Sequence, residues 1–170
     1  DAPQTSFPGK LTRFLWERYT AFQGDPAKGF ILLPCELIDR NGDNLKRTVL
    51  HTATNWKLEP AFLTWLAEAN TFTNTLVDRI VTGYPRDEAA ELFARMGYQD
   101  QLLDVGEPFH FWAIEAPAFV AKELPLVEAG FHVAWTDNLQ PWRDRKVRIL
   151  NGAHTSMSLA AYLTGKRTVG

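Results

Sequence analysis

The sequence contains a single cysteine, Cys35, and one thiol cannot form an internal disulfide. A chain without disulfides suits a reducing compartment, so we expect a cytoplasmic protein. We expect Cys35 to be a small buried side chain that follows a strand. No apolar run approaches the roughly 20 residues of a membrane-spanning helix, and the sequence does not open on a secretory signal pattern. The sequence therefore predicts neither a disulfide-stabilised domain nor a membrane partner.

A strong excess of charge is also absent, because 18 Lys and Arg residues face 20 Asp and Glu residues for a formal net charge of −2. The basic residues form no stripe, which gives no electrostatic reason to expect a nucleic-acid partner. The histidines His51, His110 and His132 are far apart, and we expect them at packing or surface positions. No His-x-x-x-His spacing occurs, so we expect no bound metal.

The glycines are scattered singly, and no Gly-x-Gly-x-x-Gly loop occurs. Such a loop brings the backbone at a helix N-terminus close to the pyrophosphate of a dinucleotide. The sequence therefore gives no candidate residues for cofactor binding.

What is present is the composition of a globular α/β chain, with 45% hydrophobic and 22% charged residues among 170. That length is enough for one good core or two small lobes. Apolar spacing, Pro60 at a first turn and Gly97 after a last turn predict helices and strands in alternation. The predicted helices are 10–22, 43–57, 60–70, 86–96 and one that follows Pro141. The predicted extended segments are 29–33, 72–81, 109–114 and 131–136, the first as a buried strand of a parallel sheet.

The most informative stretch lies near the C-terminus, where Lys146, Asn151 and His154 fall within nine residues. An amine, a carboxamide and an imidazole can together move a proton on and off a sugar hydroxyl and hold the developing oxyanion. In an α-helix, Asn151 would lie about 140° and His154 about 80° around the axis from Lys146, with roughly 12 Å along the axis between Lys146 and His154. The alternative from spacing alone is an ordinary amphipathic helix, in which His154 is half-buried.

Three blocks of the sequence, taken in order, resemble the long-chain polyol-specific dehydrogenases, also called the mannitol dehydrogenase family. The blocks are Pro34–Asp43 (PCELIDRNGD), Phe72–Pro85 (FTNTLVDRIVTGYP) and Lys146–His154 (KVRILNGAH). The resemblance runs from about Lys10 to the last residue. Within the family the middle block, continued into Arg86-Asp87-Glu88, is most similar to the tagaturonate reductases, or altronate oxidoreductases.

The resemblance implies a fold and a division of the chain. It implies the C-terminal part of a Rossmann-like α/β domain with extra strands, without the Gly-rich N-terminal unit, over residues 1–137. Residues 138–170 would begin an all-helical substrate domain. Because members of the family are longer at both ends, we expect the chain to be an internal piece of a larger enzyme, inactive by itself.

The resemblance also implies roles for individual residues. Lys146 would be the general acid/base that protonates the ketone oxygen as hydride arrives from NADH. Asn151 and Asn41 would donate to the developing oxyanion, His154 would hold a substrate hydroxyl, and Asp78 would place a carboxylate near the lysine or the sugar. The implied cofactor is NAD, and the implied partner is a small hexuronate, interconverted between D-altronate and D-tagaturonate.

Several alternatives stay open. A hexuronate needs a cation for its carboxylate, and we expect Arg79 and Arg86 to be candidates, although both could be ordinary surface charges. Asn41 with the glycine after it could form a simple turn, and Asp78 could pair locally with Arg79. The activity could be that of a fructuronate reductase or a mannitol dehydrogenase. The chain alone could also be a non-catalytic folded unit that binds a sugar acid weakly.

Overall fold

The first half of the chain is built from three α-helices, a short 3₁₀ helix (Pro26–Lys28) and one pair of short parallel strands. The computed structural model describes residues 4–166. The elements of this half are α1 (Phe7–Ala21), β1 (Ile31–Leu32), α2 (Asn41–Asn55), α3 (Pro60–Glu68) and β2 (Thr71–Phe72). The Ser6 hydroxyl caps α1 by accepting from the Gly9 N–H at 3.3 Å, and Pro60 begins α3. Strands β1 and β2 pair in parallel, with Ile31 opposite Thr71.

The hydrophobic core lies where these three helices meet. Its buried side chains are Leu11, Leu15, Val49, Ala53, Phe62, Trp65 and Leu66. The ring of Tyr19 packs edge-on against Phe62, at 5.3 Å between centroids, and against Trp65 at 5.7 Å. Large aromatic rings contribute most of the buried apolar area in such a cluster. The core therefore holds α1, α2 and α3 together, and with them the N-terminus of α2.

The second half of the chain adds a mixed sheet and further short elements. Its elements are β3 (Asn74–Asp78), β4 (Val81–Gly83), α4 (Ala89–Met96), β5 (Val105–Gly106), β6 (Phe111–Glu115), α5 (Ala118–Glu123) and β7 (Val133–Thr136). Strand β6 is central, antiparallel to β3 and parallel to β7. Strands β4 and β5 form a separate antiparallel pair.

A long helix follows the sheet. It consists of α6 (Gln140–Asp144), a π-helical segment (Arg145–Asn151) and α7 (Gly152–Leu163), and we call these residues the terminal helix (140–163). The residues at both junctions keep right-handed helical dihedrals, so the helix is continuous. The Glu115 carboxylate at the end of β6 accepts from the Leu139 N–H at 2.8 Å and fixes the start of this helix against the sheet.

Most of the predicted elements are present, with local differences. The helices predicted at 10–22, 43–57 and 60–70 are α1, α2 and α3 within a few residues. The helix expected from Arg86 begins only at Ala89, because turns over Pro85–Glu88 precede it. The extended segment 72–81 is divided among β2, β3 and β4.

Two further expectations required correction. The strand predicted at 29–33 does pair in parallel, but it is only two residues long and half-buried rather than fully buried. The prediction that Cys35 is buried was wrong, because its thiol is exposed. Cys35 lies beyond the end of β1, in an irregular loop that leads to α2.

Within residues 4–166, no helix combines the length and the apolar content needed to cross a membrane. Across the same residues, no three side chains among His, Cys, Asp and Glu gather in a way that could hold a metal ion.

Candidate active site

The ammonium group of Lys146 is held against the edge of the sheet. Its Nζ donates to the main-chain oxygen of Val77 and lies 3.4 Å from Oδ1 of Asp78, both at the end of β3. The Lys146 and Asp78 side chains are only 17% and 23% exposed. An ammonium has three N–H donors, and the Val77 carbonyl accepts from one of them, while Asp78 makes an ion pair with the same nitrogen. N–H donors therefore remain for a ligand.

The helix around Lys146 is wound differently from the α-helix expected from the sequence. Residues Arg145–Asn151 form a π-helix, in which each hydrogen bond spans five residues rather than four. Lys146 and Asn151 are five residues apart, so this winding brings them toward the same side of the helix. In an ideal α-helix they would diverge by about 140°. Short π-helical segments are rare and are frequent at functional sites.

Two pockets meet at Lys146. The first, which we call the His154 pocket, has a volume of about 380 Å³ and contains Asp78, Arg145, Lys146 and His154. Its walls include the sheet residue Phe111, with Leu76, Ile80, Glu107, Phe109, Trp142, Ile149 and Leu150. This volume is within the range of about 300–1,000 Å³ that is usual for small-molecule sites.

The second, which we call the Asn151 pocket, has a volume of about 250 Å³ and contains Lys146, Asn151 and Arg40. Other lining residues include Glu36, Asp39, Thr75, Leu139 and Arg143. The structure therefore places His154 and Asn151 on two sides of the lysine rather than in one pocket.

The polar groups of His154 and Asn151 are arranged for ligand binding. His154 Nδ1 lies 2.9 Å from the Leu150 carbonyl, which fixes that nitrogen as the N–H donor and leaves Nε2 as an acceptor. The Asn151 carbonyl accepts from the Thr155 hydroxyl at 3.0 Å. Within residues 4–166, the Asn151 side-chain amide makes no hydrogen bond and can donate into its pocket.

Asn41 lies behind the site and is fully engaged in the fold. Its side chain is 3% exposed, and its Nδ2 donates to the carbonyls of Pro34 (2.9 Å) and Glu36 (3.2 Å) and to the Thr75 hydroxyl (3.1 Å). Its Oδ1 accepts from the N–H groups of Thr75 (2.8 Å) and Gly42 (2.9 Å). An amide has two N–H donors, and both already have acceptors within the chain.

Asn41 also does not form the simple turn considered from the sequence, because it is the first residue of α2. The residue in the left-handed region is Arg40, with φ 49°. A hydrogen bond and the negative charge of Asp43, helped by Glu115 and Asp39, raise the pKa of the Arg40 guanidinium above its ordinary value. Arg40 is therefore a fixed cation at the rim of the Asn151 pocket.

The two arginines expected to bind a substrate carboxylate lie elsewhere. Arg79 donates from Nε to the Glu107 carbonyl at 2.9 Å and lines a different, largely apolar pocket of about 580 Å³. Arg86 is exposed in the turns before α4, and it lines neither pocket that contains Lys146. The local Asp78–Arg79 ion pair considered from the sequence is not formed, since Asp78 pairs with Lys146.

Two residues that were not among the predicted site residues lie at the site. The Glu115 carboxylate accepts hydrogen bonds from Asn74 Nδ2 at 3.0 Å, from Arg40 at 3.3 Å and from the Leu139 N–H at 2.8 Å. Glu115 therefore connects the start of α2, the sheet and the start of the terminal helix. Arg145 lines the His154 pocket beside Lys146. No sequence signal separates Arg145 from Arg143 and Arg148, because all three appear as surface charges of one helix.

The N-terminus of α2 does not fit the pyrophosphate of a dinucleotide. Its Gly42 N–H donates to Asn41 Oδ1, and its Asp43 N–H donates to Asn74 Oδ1 at 3.1 Å. A Cβ at Gly42 would collide with the Thr73 carbonyl, so this glycine allows close packing of helix on strand rather than an approach by phosphate. The described residues therefore offer no phosphate cradle at this helix.

Comparison with known proteins gives a consistent picture. The sequence profile of the mannitol dehydrogenase Rossmann domain matches residues 5–128. The chain is 56% identical to an altronate oxidoreductase of Bacillus subtilis over 169 residues and 54% identical to one of Yersinia enterocolitica over 170. These matches cover 99% and 100% of this chain, but only 35% of the length of each relative.

Solved structures support the fold. A crystal structure of D-sorbitol dehydrogenase in substrate-free form matches 88% of this chain and 29% of its own, with a TM-score of 0.69 and 28% identity. A Pseudomonas fluorescens mannitol 2-dehydrogenase, in a ternary complex with NAD and D-mannitol, matches 95% of this chain and 31% of its own. The TM-score between the two structures is 0.63 and the sequence identity is 24%, so this similarity supports the fold alone.

These findings confirm the predicted Rossmann-type α/β fold and the resemblance noted from the three sequence blocks. The chain belongs to the mannitol dehydrogenase family, and its residues 5–128 match the Rossmann domain of that family.

Proposed function

We propose that this chain forms part of a nicotinamide-dependent altronate oxidoreductase, which interconverts D-altronate and D-tagaturonate with NAD. Identity of 54–56% to altronate oxidoreductases supports the substrate. The observation that carries the chemistry is the placement of Lys146 Nζ where two pockets meet, with N–H donors left for a ligand.

Lys146 acts as the general acid/base. When a ketose is reduced, a hydride adds to the carbonyl carbon and a Lys146 N–H delivers a proton to the carbonyl oxygen, which gives the alcohol. In the reverse direction the amine takes the hydroxyl proton as hydride leaves. The Val77 carbonyl and the Asp78 carboxylate hold the nitrogen in place, so the lysine needs little reordering to react.

Substrate binding uses the two sides of the lysine. His154 Nε2 accepts a hydrogen bond from a sugar hydroxyl, and the Asn151 amide donates to the oxygen on which negative charge develops. We propose a supporting role for Asn41, which orders the loop under the site, in place of the direct contact with the oxyanion that the resemblance implies. The hydride comes from the nicotinamide when it is bound, and we propose that residues outside 4–166 bind its phosphates. The chain division at residues 137–138 stays a prediction.

The test is a substrate and cofactor panel on the protein expressed from its complete gene. Tagaturonate, fructuronate and fructose are each reduced with NADH and with NADPH, and kcat/KM is compared. We expect the highest kcat/KM with tagaturonate and NADH. A preference for fructuronate or fructose would assign a sister activity, and no turnover of any ketose would reject the proposal. When Lys146→Ala is compared with wild type on this panel, a Lys122→Ala variant, on an exposed lysine of α5, controls for nonspecific loss of charge.

A further inference from the structure

Three arginines of the terminal helix have different electrostatic partners. Arg143 pairs with Asp39 at 2.8 Å, and Arg148 pairs with Asp144 at 3.2 Å. Among residues 4–166, Arg145 lies within ion-pair distance of no carboxylate. Of these three guanidinium groups, therefore, only that of Arg145 has its charge available for a ligand.

Aromatic rings, rather than a carboxylate, position the Arg145 side chain. Its guanidinium carbon lies 5.6 Å from the centroid of the Phe111 ring and 5.5 Å from that of Trp142, and the two rings are themselves 5.2 Å apart. A guanidinium group that lies over ring faces still has the N–H donors at its edge available. The rings therefore position Arg145 without occupying the two parallel N–H groups that can bind a carboxylate.

Arg145 lies at the His154 pocket. Arg145, Lys146 and His154 line the same 380 Å³ cavity. The two carboxylates of that cavity are already engaged, Asp78 with Lys146 and Glu107 with the Ile80 N–H at 2.7 Å. The arginines of the Asn151 pocket are paired instead, Arg40 with Asp43 and Arg143 with Asp39. A ligand carboxylate therefore finds its available guanidinium on the His154 side of the lysine.

We infer that Arg145 binds the carboxylate of the sugar-acid substrate and so discriminates sugar acids from uncharged polyols. This inference rests on the proposed function and replaces Arg79 and Arg86 as the carboxylate-binding residues. The carboxylate and the reacting carbonyl belong to one six-carbon molecule, so the partner of the carboxylate must lie in a pocket that Lys146 also lines. Adjacent positions on the π-helical segment satisfy this requirement for Arg145 and Lys146.

The test compares Arg145→Met, Arg145→Lys and the matched control Arg86→Met in the protein expressed from its complete gene. KM and kcat are measured for tagaturonate, and the dissociation constants of a six-carbon aldonate and of the matching alditol are measured by titration calorimetry. Arg145→Met should raise KM for tagaturonate and the dissociation constant of the aldonate about 10- to 100-fold. The affinity for the alditol, kcat at saturating tagaturonate and the pH profile of kcat should all stay unchanged in Arg145→Met. Arg145→Lys should give KM and aldonate affinity between those of wild type and Arg145→Met.

The outcomes separate this inference from the proposed function. If tagaturonate is turned over but Arg145→Met matches Arg86→Met, the carboxylate assignment is overturned and the activity stands. If tagaturonate is not turned over but the aldonate binds in an Arg145-dependent way, the activity falls and the carboxylate site stands. Loss of kcat without a rise in KM would also overturn the inference, since it would place Arg145 in the chemical step.

Discussion

Replacement of Asn41 with Ala tests whether this residue supports the site or contacts the oxyanion. The change removes both halves of the amide, so the Thr75 and Gly42 N–H groups lose the oxygen to which they donate at 2.8 and 2.9 Å. Each buried donor left without a partner costs about 1–3 kcal/mol. The variant should therefore lose about 2–6 kcal/mol of folding free energy, a large part of the 5–15 kcal/mol of a typical domain.

The assay is calorimetric unfolding of the complete gene product, together with amide hydrogen exchange at Thr75. We expect a lowered Tm and faster exchange in Asn41→Ala. Asn41→Asp keeps the two acceptor bonds but turns a carboxylate oxygen toward the Pro34 and Glu36 carbonyls, so it should also lose stability. The control is Asn55→Ala, which removes an exposed asparagine from the end of α2. An unchanged Tm and exchange rate with a strongly reduced kcat would refute the reasoning and return Asn41 to the oxyanion site.

Two further predictions concern the same loop and helix. Gly42→Ala should lower the Tm, because the added Cβ meets the Thr73 carbonyl, and a Tm equal to wild type would contradict the close packing of α2 on the strand. Cys35 is exposed as a residue, but the surrounding chain partly desolvates its thiol. This desolvation, and then the Glu36 charge, raise the pKa of Cys35 above its ordinary 9.0, so the thiol should react more slowly with iodoacetamide at neutral pH than a thiol in a small peptide. Its rate should still be rising above pH 9, and a plateau below that pH would contradict the shift.

Local patterns in the sequence predicted the framework of the fold well. Pro60 at the start of α3, Gly97 after α4 and the apolar spacing of α1 are short-range signals, and these helices lie close to their expected positions. The α/β fold class was also predictable, because helices and extended segments alternate along the chain. The predicted strand at 29–33 was less accurate, because the length of a strand depends on the partner with which it pairs.

The candidate site was predictable in its residue types but not in its arrangement. The three sequence blocks brought Lys146, Asn151 and Asp78 to attention, and the structure places all three around β3 and the π-helical segment. Neither the π winding nor the pairing state of Arg145 follows from local spacing. Both depend on contacts with residues far away in the sequence, such as Phe111.

The most direct test of the account is the chemical step in Lys146→Ala, measured by single turnover of the complete gene product with NADH and tagaturonate. General acid/base catalysis contributes about 10²- to 10⁴-fold, so the step should slow by that factor. Binding of NADH should be unchanged, and the Lys122→Ala control should react at the wild-type rate. A Lys146→Ala enzyme that reduces tagaturonate at the wild-type rate would contradict the central claim, that Lys146 transfers the proton.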